Sequence, residues 1–159
     1  MSDYDDPRAH ELRESYHAVF GGNELPVPVE SIAEDLLGLA VEVRDDLPVS
    51  GMLLPSERRI VVRSDESDPR RRFTIAHELG HWVCQCQEGE MRPVYCRAEE
   101  IGVDPEAKAL EREANIFAAN LVMPESAVRS AAGRNHFGVS EEAFAWRLYN
   151  LGLTEARPT

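Results

Sequence analysis

The sequence predicts an α+β fold within one domain, a small sheet set among helices. Three observations point there. A short region in the first half alternates in the manner of strands, the Asp-Pro pairs at 68–69 and 104–105 open long amphipathic runs, and 159 residues suffice for one substantial core. No internal repeat or low-complexity segment interrupts the chain.

In chain order, residues 8–20 read as a helix, which "GGNELPVP" breaks with Gly21, Gly22, Pro26 and Pro28. "VESIAEDLLGL" follows, with Ile32, Leu36 and Leu37 at helical spacing and Gly38 as a natural stop. "AVEVR" alternates as a strand. "SGMLLPSERRIVVRS" reads as a hairpin, its runs 51–54 and 59–63 flanking a turn that carries Pro55, Ser56 and Glu57. Asp68 then predicts an N-cap, with Pro69 as the first residue of a helix carrying Phe73, His77 and His81. Asp104-Pro105 gives the same signal ahead of "EAKALEREANIFAANLVM", which Pro124 ends. The last helix lies in "FGVSEEAFAWRLYNLGL", capped by Ser140, with Ala143, Phe144, Leu148 and Leu151 on its apolar side. These elements divide into an N-terminal helix and linker (1–26), a core (27–130) and a C-terminal helical segment packed on it (131–159).

Hydrophobic content of 43% and charged content of 29% are ordinary for a globular chain. A net charge of −12 excludes the non-specific nucleic-acid binders, whose Lys and Arg must neutralise phosphates. It favours instead a basic protein partner through long-range steering. Cys84, Cys86 and Cys96 are odd in number and too few for a disulfide scaffold. The N-terminus is acidic and polar, without a basic-then-apolar leader, and no apolar run has membrane-spanning length. The expectation is a reduced cytoplasmic protein with no membrane contact.

The chemistry concentrates in His77-Glu78-Leu79-Gly80-His81. Residues four apart share a helix face, so the two imidazoles can hold one ion, while Glu78 sits at the margin of that face as a general base. Random ordering of this composition gives roughly a 2% chance of one such match. Phe73, Ile75, Ala76, Leu79, Trp82 and Val83 spread round most of the circumference, as a buried helix requires. Gly80, which costs about 1 kcal/mol against alanine in a helix, implies a close neighbour.

A catalytic zinc takes three protein ligands and keeps one open position. "LEREANIFAANLVMP" offers two glutamates on opposite flanks of the Leu110, Ala114, Phe117 and Leu121 stripe. They cannot both face one metal. Glu111 has Asn115 one turn on, and an amide there could orient a ligand, which leans towards Glu111 without deciding. Both glutamates could equally be solvated helix charges.

With "RRFTIAHELGHW" followed by "EREANIFAANLVMP", the chain resembles the ImmA/IrrE family of bacterial zinc metallopeptidases. The resemblance extends to "SGMLL", "RRIVVRS" and "DPRRRFT" upstream and to "FGVSEEAFAWRLYNLGL" downstream, covering most of the chain after Val27. It implies a zincin-like, more narrowly gluzincin-like, fold: a small sheet beside the HExxH helix, a second ligand-bearing helix and a C-terminal helical segment. Carried over residue by residue, it implies His77, His81 and Glu111 as ligands, Glu78 as base and Asn115 supporting the ligands from behind. The implied cofactor is Zn2+, and Mn2+ or Fe2+ could occupy the same donor set.

In that reading zinc polarises a water, and Glu78 takes its proton and hands it to the leaving amine. By residue type, Tyr95 and His136 are candidates to stabilise the oxyanion. Strand 59–63 is a candidate edge for an extended substrate. Cys84, three residues after His81, and Cys96, between the motifs, are candidate inhibitory thiols, with plain buried thiols the alternative.

The C-terminal stretch has a helix-turn-helix outline. With Glu141, Glu142 and only Arg147 as clear charge, it lacks the side chains of a DNA-reading helix and reads as a packing element that also lines the substrate groove. The resemblance implies a protein substrate, a helix-turn-helix repressor whose cleavage releases stress-response or mobile-element genes, with no direct nucleic-acid contact. The alternative is a metal-dependent protein-binding regulator that does not cut. Glu78 speaks for the enzyme, because a binding module has no use for the base.

Overall fold

The β-rich first half becomes a sheet whose middle strand is its most apolar one. In the computed structural model, which describes residues 3–22, 25–86, 94–95 (backbone only), 105–130 and 132–159, the strands are β1 (Ala40–Arg44), β2 (Gly51–Leu54), β3 (Arg59–Arg63) and β4 (Val94–Tyr95). Their order is β1-β3-β2-β4. The predicted hairpin is β2 and β3, antiparallel with Gly51 opposite Val62, while β3 runs parallel to β1 with Ala40 opposite Arg59. β3 is therefore hydrogen-bonded on both sides, and the expectation that it offers an edge to substrate is corrected. Its run Ile60-Val61-Val62 is buried on both faces, the signature of a central strand. The edges among the described residues are β1 and β4.

One face of the sheet, through Leu53, Ile60 and Val62, joins the main core. The other, through Val61, is covered by Leu47 and Val49 in the loop between β1 and β2. A 3-10 turn (Pro55–Glu57) closes the hairpin through Arg58 at φ +50°, whose guanidinium donates to the Leu37 carbonyl at 3.0 Å.

Helix α1 (Pro7–Phe20) is capped by Asp6 and buries Ala9 and Leu12. The next predicted helix differs: α2 (Val29–Ser31) widens into a π turn (Ile32–Leu36), in which the Leu37 amide reaches back to the Ile32 carbonyl at 3.1 Å. Helix α3 (Asp68–Gln85) carries the HExxH motif. Its cap is Ser67 rather than Asp68, because the Ser67 hydroxyl accepts from the Arg70 amide, which leaves Asp68 in the first turn where its charge suits the helix dipole. Helix α4 (Pro105–Val122) carries the second motif; its expected cap, Asp104, lies outside the described residues.

Short helices α5 (Glu125–Arg129) and α6 (Arg134–Phe137) lead to α7 (Glu141–Asn150), capped by Ser140 accepting from the Ala143 amide at 3.1 Å. Phe137 and Val139 are fully buried, and Ala143, Phe144, Leu148 and Leu151 pack on the core as expected. No described helix is long and apolar enough to cross a membrane.

Helices α3 and α4 meet at Gly80. A Cβ there would lie 2.9 Å from the Ala114 carbonyl oxygen and 3.0 Å from its Cα, closer than side chains approach backbone. The glycine brings the two motif-bearing helices into backbone contact. Around it, residues 74–81 are buried without interruption.

Candidate metal centre and its cleft

His77 and His81, one turn apart on α3, present their Nε2 atoms 3.2 Å from each other. Glu111 on α4 meets both: Oε2 lies 2.7 Å from the His77 Nε2, and Oε1 lies 2.9 Å from the His81 Nε2. One donor atom from each residue falls within 4.8 Å of the others, and all three side chains are buried. Two ligand atoms of a tetrahedral zinc with bonds of about 2.0–2.1 Å stand roughly 3.3 Å apart, close to the imidazole separation here. The donor set fits a divalent ion of the zinc type.

The other ring nitrogens fix the imidazoles. The His77 Nδ1–H donates to Asn115 Oδ1 at 2.8 Å, and the His81 Nδ1–H donates to Gln85 Oε1 at 2.6 Å. An amide oxygen can only accept, so each Nδ1 carries a hydrogen, and each Nε2 faces the shared point. Gln85 was not among the residues singled out from the sequence, although its position four after His81 on the same helix face carried the signal. Its own amide donates to the Leu110 carbonyl at 2.7 Å and to Glu113 at 3.1 Å. Glu113 in turn accepts from Arg8 at 3.2 Å. The two glutamates of α4 are thus divided, Glu111 to the imidazoles and Glu113 to the bracing behind them.

Burial disfavours charge on Glu111, but hydrogen bonds from His77 and His81 outweigh it and hold its carboxyl at about 2. Burial likewise works against a charged His77. Its hydrogen bond to Glu111, with the Glu78 charge nearby, prevails and raises its pKa.

Glu78 has no exposed surface. It shares with Thr74 the space in front of Gly51, where a Cβ would come 2.5 Å from the Thr74 methyl and 3.5 Å from Glu78 Oε2. Gly51, the first residue of β2, lets the sheet approach the motif helix; nothing in the pattern of the hairpin marked it.

The remaining candidates lie apart. Cys84 is half-buried, and its thiol donates to Asp6 at 3.8 Å; burial pushes it up to about 12, so it is a protonated thiol beside the α1 cap, outside the donor set. Cys96 and the side chain of Tyr95 lie outside the described residues, though the Tyr95 backbone pairs with Met52. His136 is exposed, and its Nδ1 accepts from the Gly133 amide at 3.1 Å at the start of α6.

A cleft of about 1210 Å³ opens onto His77 and Glu111. Ser50 and Thr74 line it with them. Phe73, Ile116, Ala119 and Met123 line it further along, and α7 contributes Trp146 and Arg147.

A sequence profile of the IrrE N-terminal-like domain of the M78 peptidases matches residues 42–149. Among solved structures, a Mycobacterium tuberculosis transcriptional regulator is similar in fold, with a TM-score of 0.61 at 23% identity over 98% of this chain and 51% of that chain. The chain therefore spans about half the length of that regulator. The search of curated proteins finds no match.

Proposed function

The chain belongs to the IrrE N-terminal-like domain family of M78 peptidases, and from that premise we propose that it is a zinc-dependent, site-specific endopeptidase. Its substrate in this reading is a cytoplasmic helix-turn-helix repressor, whose cleavage switches on stress-response or mobile-element genes. Residues 27–130 are the peptidase core, 1–26 a helix that braces it, and 131–159 a segment that walls the cleft.

One observation carries the reading: a fully buried Glu78 stands next to two imidazoles and a carboxylate that converge on one point. Burying a carboxylate costs on the order of several kcal/mol unless partners offset it, and the His77 imidazole, whose charged form Glu78 favours, is one such partner. A bound zinc ion supplies Lewis acidity toward a water and a scissile carbonyl. His77, His81 and Glu111 would hold the ion, and Asn115 and Gln85, whose amide oxygens accept from the Nδ1 atoms, would keep the two rings turned to it. Glu78 accepts the proton of the attacking water and delivers it to the leaving amine.

Metal content of purified wild type, Glu111→Ala and Glu113→Ala tests the ligand assignment. The expectation is about one zinc per chain in wild type and in Glu113→Ala, and its loss in Glu111→Ala. Zinc absent from wild type, or indifferent to both changes, removes the assignment. Glu78→Gln separates enzyme from binding module: it should keep zinc and still bind a repressor that wild type cuts. A wild type that binds repressors but leaves all of them whole favours the regulator that does not cut.

A further inference from the structure

The charge of the cleft runs against the charge of the chain. Outside the metal ligands its walls carry Lys108, Arg112 and Arg147, with Arg70 already paired to Glu66, against the single carboxylate of Glu142, in a protein of net charge −12. Arg147 differs from the other three. It is 2% exposed, yet it lines the cleft.

Among the described residues, no carboxylate lies within ion-pairing distance of Arg147. The nearby Glu125 is taken by Arg129 at 2.8 Å. Arg147 donates instead to neutral oxygens, the Met123 carbonyl at 3.0 Å and Asn120 Oδ1 at 3.5 Å. Burial, with Arg13 and Arg129 near, pulls it down to about 10, so it remains a cation at neutral pH. A buried guanidinium without a carboxylate is costly by itself and favours a carboxylate brought to it.

We propose that the cleft selects an extended peptide segment with large apolar side chains and an acidic residue, whose carboxylate is received by Arg147. This deepens the peptidase reading and rests on it for the position of the scissile bond. The floor between the metal ligands and Arg147 is apolar, made by Phe73, Ile116, Ala119 and Met123. Glu111 on α4 and Met123, the residue just after its end, are twelve positions apart, a rise of about 18 Å at roughly 1.5 Å per residue. An extended chain advances about 3.3 Å per residue, so the acidic residue falls about five positions from the scissile bond. Arg112, exposed and stacked 5.3 Å from the Tyr4 ring centroid, adds positive potential near the metal end.

The test is binding of fluorescein-labelled decapeptides to zinc-loaded Glu78→Gln protein, followed by fluorescence anisotropy. The peptides share a Leu/Phe-rich centre and carry Glu, Gln or Lys scanned through every outer position. At one position Glu should bind at least about tenfold tighter than Gln, with Lys weakest, and salt should narrow the difference. Arg147→Met should abolish that preference while leaving zinc content unchanged, and Arg147→Lys should keep part of it.

Equal binding of Glu, Gln and Lys peptides at every position overturns the proposal without recourse to any variant that folds poorly. So does a preference that survives in Arg147→Met. Cleavage of the same peptides by wild type separates the two readings. Peptides cut without acidic preference leave the peptidase and remove the Arg147 receptor; peptides bound with that preference but never cut do the reverse.

Discussion

At the scale of single residues, the candidate metal site rests on groups outside its donor set. Gln85 turns His81 as Asn115 turns His77. Gln85→Leu and Asn115→Leu should each weaken zinc binding about 10- to 100-fold with little change in circular dichroism, measured by competition with a chromophoric chelator. Wild-type affinity in both would make the two amides bystanders. Titration supplies a second prediction. Glu111 is held at about 2, below its ordinary 4.5, so its stabilising contribution is present above 4.5 and is lost as pH falls toward 2. His77 is raised above 6.5, so its contribution is full below 6.5 and is lost as pH rises through the raised value. For the zinc-stripped protein, the contribution of this cluster is therefore fullest between 4.5 and 6.5. Zinc affinity runs the other way, because His77 must shed its proton to bind: it should fall by up to about tenfold per pH unit below the raised value for each proton displaced. Urea melts of stripped protein and zinc titrations across pH check the two slopes, which should have opposite signs above 6.5.

At the scale of elements, two glycines set distances that no other residue can. Gly80→Ala would gain about 1 kcal/mol of helix propensity, but its methyl would strike the Ala114 backbone at 2.9 Å. Overpacking of this kind costs about 1–3 kcal/mol. The expected outcome is a net loss of stability in urea together with weaker zinc binding, since Glu111 rides on the helix that is pushed away. A gain in stability with zinc unaffected would show that α3 and α4 can part freely. Gly80 was legible in the sequence because a glycine inside a buried helix requires a reason. Gly51 was not: it sits at a strand start, where a glycine is unremarked, and its neighbour Thr74 is more than twenty residues away in the chain. The same limit explains β3. Its spacing marked a strand and suggested an edge, but its second partner, β1, comes from outside the hairpin, and no local pattern announces that pairing. Local pattern identified the long helices and the HExxH face; the π turn after Ser31, the short helix Glu125–Arg129 and pairings across long stretches of chain, including Gln85 with Glu113, needed the fold.

At the scale of the whole molecule, the profile match begins at residue 42, yet the site is braced from the first helix. Arg8 holds Glu113, Glu113 holds the Gln85 amide, and Gln85 holds His81. Alongside this chain, Arg13 donates to the Leu121 carbonyl at 3.2 Å, and the Asn120 amide donates to the Tyr4 carbonyl at 2.9 Å. Ala9 and Leu12 complete the core behind α4. A chain shortened to begin at residue 27 should thus do two separable things. It should melt at lower temperature, because burial of Leu12 and the ties to the end of α4 are lost, and it should bind zinc more weakly, because Gln85 loses its bracing. Arg8→Ala in the full-length protein isolates the second effect, since it cuts the chain to His81 and leaves Ala9 and Leu12 in place. About a tenfold loss of zinc affinity with a small change in melting would make α1 part of the metal site. Lower melting with zinc affinity unchanged would leave α1 as a cover for the core, and the bracing of His81 would then end at the Leu110 carbonyl, which Gln85 reaches without help from the N-terminus.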